Sequence, residues 1–132
     1  QFRPDVYEPN ETPAQSTSIA SNGGPWQLTF FADPDGNGKG QADTDVFRIS
    51  ATQGVVYTVT TSNLVSDANT NLEILDTNGT TVLASNNDCP GFTDGSSCLT
   101  VTAPRTDTFY IRVKHATDAG IYGSYSLQVT NP

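Results

Sequence analysis

Asp33, Asp35 and Asn37 alternate along residues 33–38, the oxygen-donor spacing that a hard cation such as calcium requires. From Asp33 to Asp45 there are four carboxylates, and Lys39 is the one cation among them. Like charges this close repel, so a folded domain keeps them where something compensates. Gly38 falls where an EF-hand loop makes its sharp turn, yet Thr44 stands where that loop needs a bidentate Glu. Both flanks read as strands. The expectation is a calcium-binding loop between strands and not an EF-hand, with a solvated Gly/Asp insertion as the plainer alternative. Gly36, Gly38 and Gly40 lack the strand-to-helix setting of a phosphate loop.

Other reactive side chains are sparse. Cys89 and Cys98 are the only cysteines, with eight residues between them and no His nearby. They read as a disulfide in preference to half a zinc site, which points to an oxidising compartment. Closing so short a loop stabilises by roughly 2–3 kcal/mol in the chain-entropy model. His115 is the single histidine, and no Gly-x-Ser-x-Gly elbow accompanies it, so a nucleophile system has no support. Trp26, Tyr110 and Tyr122 are candidate surface aromatics for a sugar or protein ligand.

The elements that must carry these residues are strands. At 132 residues the chain is one domain with room for a single core. Its wealth of Thr, Ser, Asn and Gly is that of a secreted β-protein. There is no Met and no targeting segment, so the sequence reads as a mature or excised fragment. No apolar run approaches a membrane span, and a net charge of −8 argues against nucleic acid and anionic membranes. Seven of the fourteen acids lie in the first 45 residues, which suggests cation binding more than plain solubility.

Residues 1–14 read as an extended acidic lead-in, followed by one domain over 15–132. Within it, segments 18–20, 26–32, 45–51, 55–61, 72–76, 81–86, 99–103, 109–113 and 125–129 show β-branched content or period-2 alternation. Phe47 and Ile49 share one face, with Arg48 and Ser50 on the other. Tyr110 and Arg112 point outward, opposite Phe109, Ile111 and Val113. Asn78-Gly79 between two of these runs predicts a type I′ hairpin. Eight or nine short strands with regular turns imply an all-β, jelly-roll-like sandwich of two antiparallel sheets.

The order of these pieces resembles the bacterial pre-peptidase C-terminal domain family. Asp5-x-Tyr-Glu-Pro-Asn-Glu-Thr12 is similar to its opening, and Asp43-x-Asp-x-Phe-x-Ile49 to its first core strand. Gly54-x-x-Tyr-Thr-Val59, Asn69-Thr-Asn-Leu-x-Ile-Leu-Asp-x-Asn-Gly-Thr80 and Asn86-Asn-Asp88 follow in family order. Thr108-Phe-Tyr-Ile-Arg-Val113 and Gly123-x-Tyr-x-Leu-x-Val129 close it. The resemblance implies a non-catalytic, monomeric accessory domain of a secreted bacterial or archaeal hydrolase, chiefly a protease, whose partner is the parent catalytic domain. It also implies a calcium site, with Glu8, Asn10 and Glu11 as lead-in ligands and Asp43 and Asp45 at the strand edge. The alternative is an extracellular module for a polysaccharide or a fibrous protein. Where collagen-binding relatives carry aromatics, this chain has Lys114, His115 and Ala116.

Overall fold

The computed structural model of the chain describes residues 16–20, 22, 25–29, 44–65, 70–86, 89, 96–115 and 124–131. Nine strands run through them: β1 (Thr17–Ser18), β2 (Trp26–Thr29), β3 (Thr44–Ala51), β4 (Val56–Val65), β5 (Thr70–Leu75), β6 (Val82–Asn86), β7 (Cys98–Thr102), β8 (Asp107–His115) and β9 (Ser124–Thr130). One sheet has the order β1-β3-β8-β5-β6, the other β2-β9-β4-β7. Setting β1 aside, these are the two four-stranded layers of a jelly roll. Every pairing is antiparallel except one: β1 lies parallel to β3, with Thr17 opposite Phe47.

Alternation decides what each strand gives to the core. β3 contributes Phe47 and Ile49, β5 Leu72 and Ile74, and β8 Phe109, Ile111 and Val113. Tyr57 and Val59 of β4, Leu99 of β7, and Tyr125, Leu127 and Val129 of β9 meet them from the second sheet. Two outward positions break the pattern: Val46 and Leu75 are both fully buried. Each is in register with a long side chain of β8, Arg112 and Tyr110 respectively. Stems of that length spread over short apolar neighbours.

The β5–β6 hairpin forms, but its turn is not type I′. Asn78 does not take a positive φ; Gly79 alone does, at 74°. The Gly79 N–H donates to the Asp76 carbonyl at 2.8 Å, which makes a turn over 76–79. Asn78 Oδ1 accepts from the N–H groups of Thr80 and Thr81, both at 3.0 Å. Those side-chain bonds favour a longer loop over the two-residue one. Beyond it, Ile74 pairs with Ala84 and Leu75 with Val82, so Leu83 bulges from β6.

Gly54 turns the chain from β3 into β4 with φ at 83°, and a Cβ there would meet nothing within 4 Å. The requirement is conformational, because L side chains resist the left-handed region. Gly54→Ala is expected to cost roughly 1–2 kcal/mol by urea denaturation, without any steric clash. An unchanged midpoint would show that the turn relaxes freely.

Candidate functional site

Asp45 is the expected ligand that the structure places. By alternation it points inward with Phe47 and Ile49, and it is 0% exposed. A carboxylate taken out of water needs hydrogen bonds or a counter-charge. Tyr125 supplies one such bond from the opposite sheet: its hydroxyl donates to Asp45 Oδ2 at 2.5 Å. The bond ties β3 to β9 across the two layers. Glu8, Asn10, Glu11, Asp33, Asp35, Asn37 and Asp43 all lie outside the described residues, as do Tyr122 and the 1–14 lead-in. Among the described residues, no three His, Cys, Asp or Glu side chains gather as a metal site.

The same end of the sandwich holds a buried hydroxyl chain that sequence reading missed. Thr61 of β4, Thr70 of β5 and Ser97, just before β7, are all buried. Ser97 N–H donates to Thr61 Oγ1 at 2.8 Å. Thr61 and Thr70 hydroxyls are 2.7 Å apart, and Thr70 and Ser97 hydroxyls 2.8 Å. Ser97 Oγ donates to the Thr70 carbonyl at 2.7 Å. One direction satisfies every group: Thr61 donates to Thr70, Thr70 to Ser97, and Ser97 to the carbonyl. Next to it, Cys89 and Cys98 form the expected disulfide, and Cys98 N–H donates to Asn86 Oδ1 at 3.0 Å.

On the outside of the five-stranded sheet, Glu73 accepts from Arg112 Nε at 2.7 Å and faces Lys114 Nζ at 3.6 Å. Burial pushes the Glu73 carboxyl up, but the hydrogen bond and charge of Arg112, joined by Lys114, outweigh it and hold the group below its ordinary value. Arg48 donates to the Ser16 carbonyl and so fastens the approach to β1. Tyr110 is half-buried on this face, whereas Trp26 is half-buried and packs against the core.

At the opposite end the interior is apolar but for the Tyr57 hydroxyl, which accepts from the Thr52 N–H at 2.9 Å. Ile49, Ile74, Leu83, Val101 and Phe109 line an open cleft there. Arg105 lies over the Phe109 ring, 5.7 Å from its centroid, and bonds Asp76.

Fold and site together define a jelly-roll sandwich with one polar and one apolar pole, and with a buried acid bridged between its layers. The model of the bacterial pre-peptidase C-terminal domain matches residues 43–115, more than half of the chain. The chain belongs to that family. Domains of this kind are non-catalytic, C-terminal accessory modules of secreted proteases. A crystal structure of the pre-peptidase C-terminal domain of a Bacillus anthracis collagenase shares the fold at a TM-score of 0.58 and 13% identity, covering 92% of this chain and 97% of that one. PliG, a periplasmic inhibitor of g-type lysozyme from Aeromonas hydrophila, aligns at a TM-score of 0.45 and 15% identity, over 86% of this chain and 96% of its own. A search of the curated proteins finds no match.

Tyr125 was within reach of the sequence, since alternation turns it inward and a buried Tyr hydroxyl needs a partner. Tyr125→Phe is expected to cost about 1.5–3 kcal/mol, the range for a bond to a charged acceptor. The cost should shrink in an Asp45→Asn background, and strictly additive losses in urea melts would refute the coupling.

Glu73 predicts a pH dependence. Its folded value lies below the ordinary 4.5, so between the two the unfolded chain binds more protons. The stabilisation is therefore complete above that value and is lost as pH falls through the lowered one. The gap in urea midpoint between the natural chain and Glu73→Gln should narrow from pH 7 towards pH 3. A constant gap would contradict it.

Proposed function

We propose that the chain is a calcium-binding accessory domain of a secreted bacterial or archaeal hydrolase, a protease by family, that aids stability, secretion or substrate targeting. The observation that carries the calcium reading is the place of Asp45, a fully buried acid at the start of β3. Its neighbour in sequence, Asp43, is a second oxygen donor two residues away. The parallel pairing of β1 adds support: a chain entering β1 beside Phe47 must come from the Asp45 end of β3. That direction suits Glu8, Asn10 and Glu11 as the remaining donors. Carboxylate and amide oxygens from two segments are the ligand chemistry that calcium takes. Asp33, Asp35 and Asn37 would form a second, looser site. When bound, the ion would supply the positive charge that this acidic chain otherwise lacks, and Tyr125 would fix the orientation of the Asp45 carboxylate.

A second reading, an extracellular binding module, is favoured by the outward Tyr110 on a sheet face whose strands are already paired. Both readings describe a domain without chemistry of its own.

Calcium bound only to the folded state stabilises by RT ln(1 + [L]/Kd), roughly 2.7 kcal/mol at a hundredfold excess. Melts in calcium should therefore lie above melts in chelator, and Asp45→Asn should remove the difference while keeping a partner for Tyr125. Calorimetric titration gives the stoichiometry, one ion or two. Identical melts in calcium and chelator would defeat the calcium reading.

A further inference from the structure

Three of the chain's six Lys and Arg residues stand on the outer face of the five-stranded sheet. Arg48 is exposed between buried Phe47 and Ile49, while Arg112 and Lys114 alternate with buried Ile111 and Val113. Arg48 is also the register partner of Tyr110. The Arg48 Cβ therefore lies roughly 5 Å from that of Tyr110 across the strands, while its guanidinium turns the other way, to the Ser16 carbonyl beside β1. Arg112 follows Tyr110 one outward step along β8, roughly 6.7 Å on, with Lys114 the same distance further.

Among the described residues of these strands, Glu73 is the one acid facing outward. It engages Nε of Arg112 and stands 3.6 Å from Lys114. One anion is thus set against three cations, in a chain whose net charge is −8. Among the described residues the Nη groups of Arg112 make no hydrogen bond, and the Lys114 side chain is 40% exposed.

Backbone pairing cannot serve a ligand on this face. β3 is bonded to β1 and β8, β8 to β3 and β5, and β5 to β8 and β6. An extended peptide adds to a free sheet edge; a partner here must be held by side chains alone. An aromatic ring followed along its strand by a guanidinium fork and an ammonium group suits a sugar ring bearing carboxylate or sulfate groups.

We propose that this face binds an anionic polysaccharide, with Tyr110 beneath a sugar ring and Arg112 and Lys114 on its acidic groups. This rests on the binding-module reading and names its ligand class. It is tested by electrophoresis of the chain through native gels containing polygalacturonate, heparin, neutral dextran or polyglutamate, all with chelator present. A pelleting assay on cellulose, chitin and collagen runs alongside. The chain should be retarded by polygalacturonate or heparin, whichever carries the preferred acidic group, and by neither dextran nor polyglutamate.

Tyr110→Ala and Lys114→Ala should each weaken that binding by about tenfold, or 1.4 kcal/mol. Lys114→Ala removes an exposed side chain, so its effect can be read even where Tyr110→Ala does not fold. Rising salt should weaken the interaction steeply. Equal retardation by polyglutamate, or binding unchanged by Lys114→Ala, would overturn the proposal. Pelleting on a neutral matrix without retardation by either anionic glycan would overturn the ligand class and leave the module reading standing. Failure on every matrix would overturn both.

Discussion

Asp45 carries a carboxylate into the space between two sheets, and Tyr125 meets it there from the other side. Charge inside a sandwich is costly unless hydrogen bonds or opposite charge offset it, so the groups around it are set by that need. Thr61, Thr70 and Ser97 are buried at the same end and bond one another in a closed chain. The disulfide of Cys89 and Cys98 fixes the segment that delivers Ser97. Away from this end the interior is hydrocarbon, through Ile74 and Phe109 to the cleft beside Leu83. Buried polarity is thus concentrated at one pole, with the Tyr57 hydroxyl its counterpart at the other.

The exterior is divided in a comparable way. Acids dominate the chain as a whole, yet half of its cations stand on one sheet face around Tyr110. Glu73 is held ionised there by Arg112 and Lys114, and it keeps those long side chains in place over the sheet. Arg48 instead fastens the approach to β1 through the Ser16 carbonyl.

Much of the fold was legible because period-2 alternation is a direct readout of a half-buried strand. Phe109, Ile111 and Val113 against Tyr110 and Arg112 is such a case, and each of the nine segments read as strands overlaps an observed strand, the one at 18–20 by Ser18 alone. Boundaries were less legible: β4 continues to Val65 through polar Ser62 and Asn63, and its pairing with β9 resumes at Val65 after a register shift. The parallel β1–β3 contact left no local mark, since register between distant segments is a tertiary property. Asn78-Gly79 pointed to the right hairpin and the wrong turn, because Asn78 spends its side chain on the amides of Thr80 and Thr81. The candidate site was legible in its acids. Tyr125 could be read as an inward Tyr in need of a partner, but the hydroxyl chain could not, since Ser and Thr at inward positions look like ordinary strand residues until their partners are known.

The order of strands within the layers bears on how this protein comes to exist in a cell. Of the seven neighbouring pairs, only β5 and β6 are consecutive in the chain. β9, which follows every other strand, lies between β2 and β4. The second sheet therefore stays divided until synthesis has passed Thr130, and local hairpins alone cannot hold it together. Folding dominated by distant pairings is slow. A nascent chain of this design can close its second sheet only once β9 is free to enter between β2 and β4.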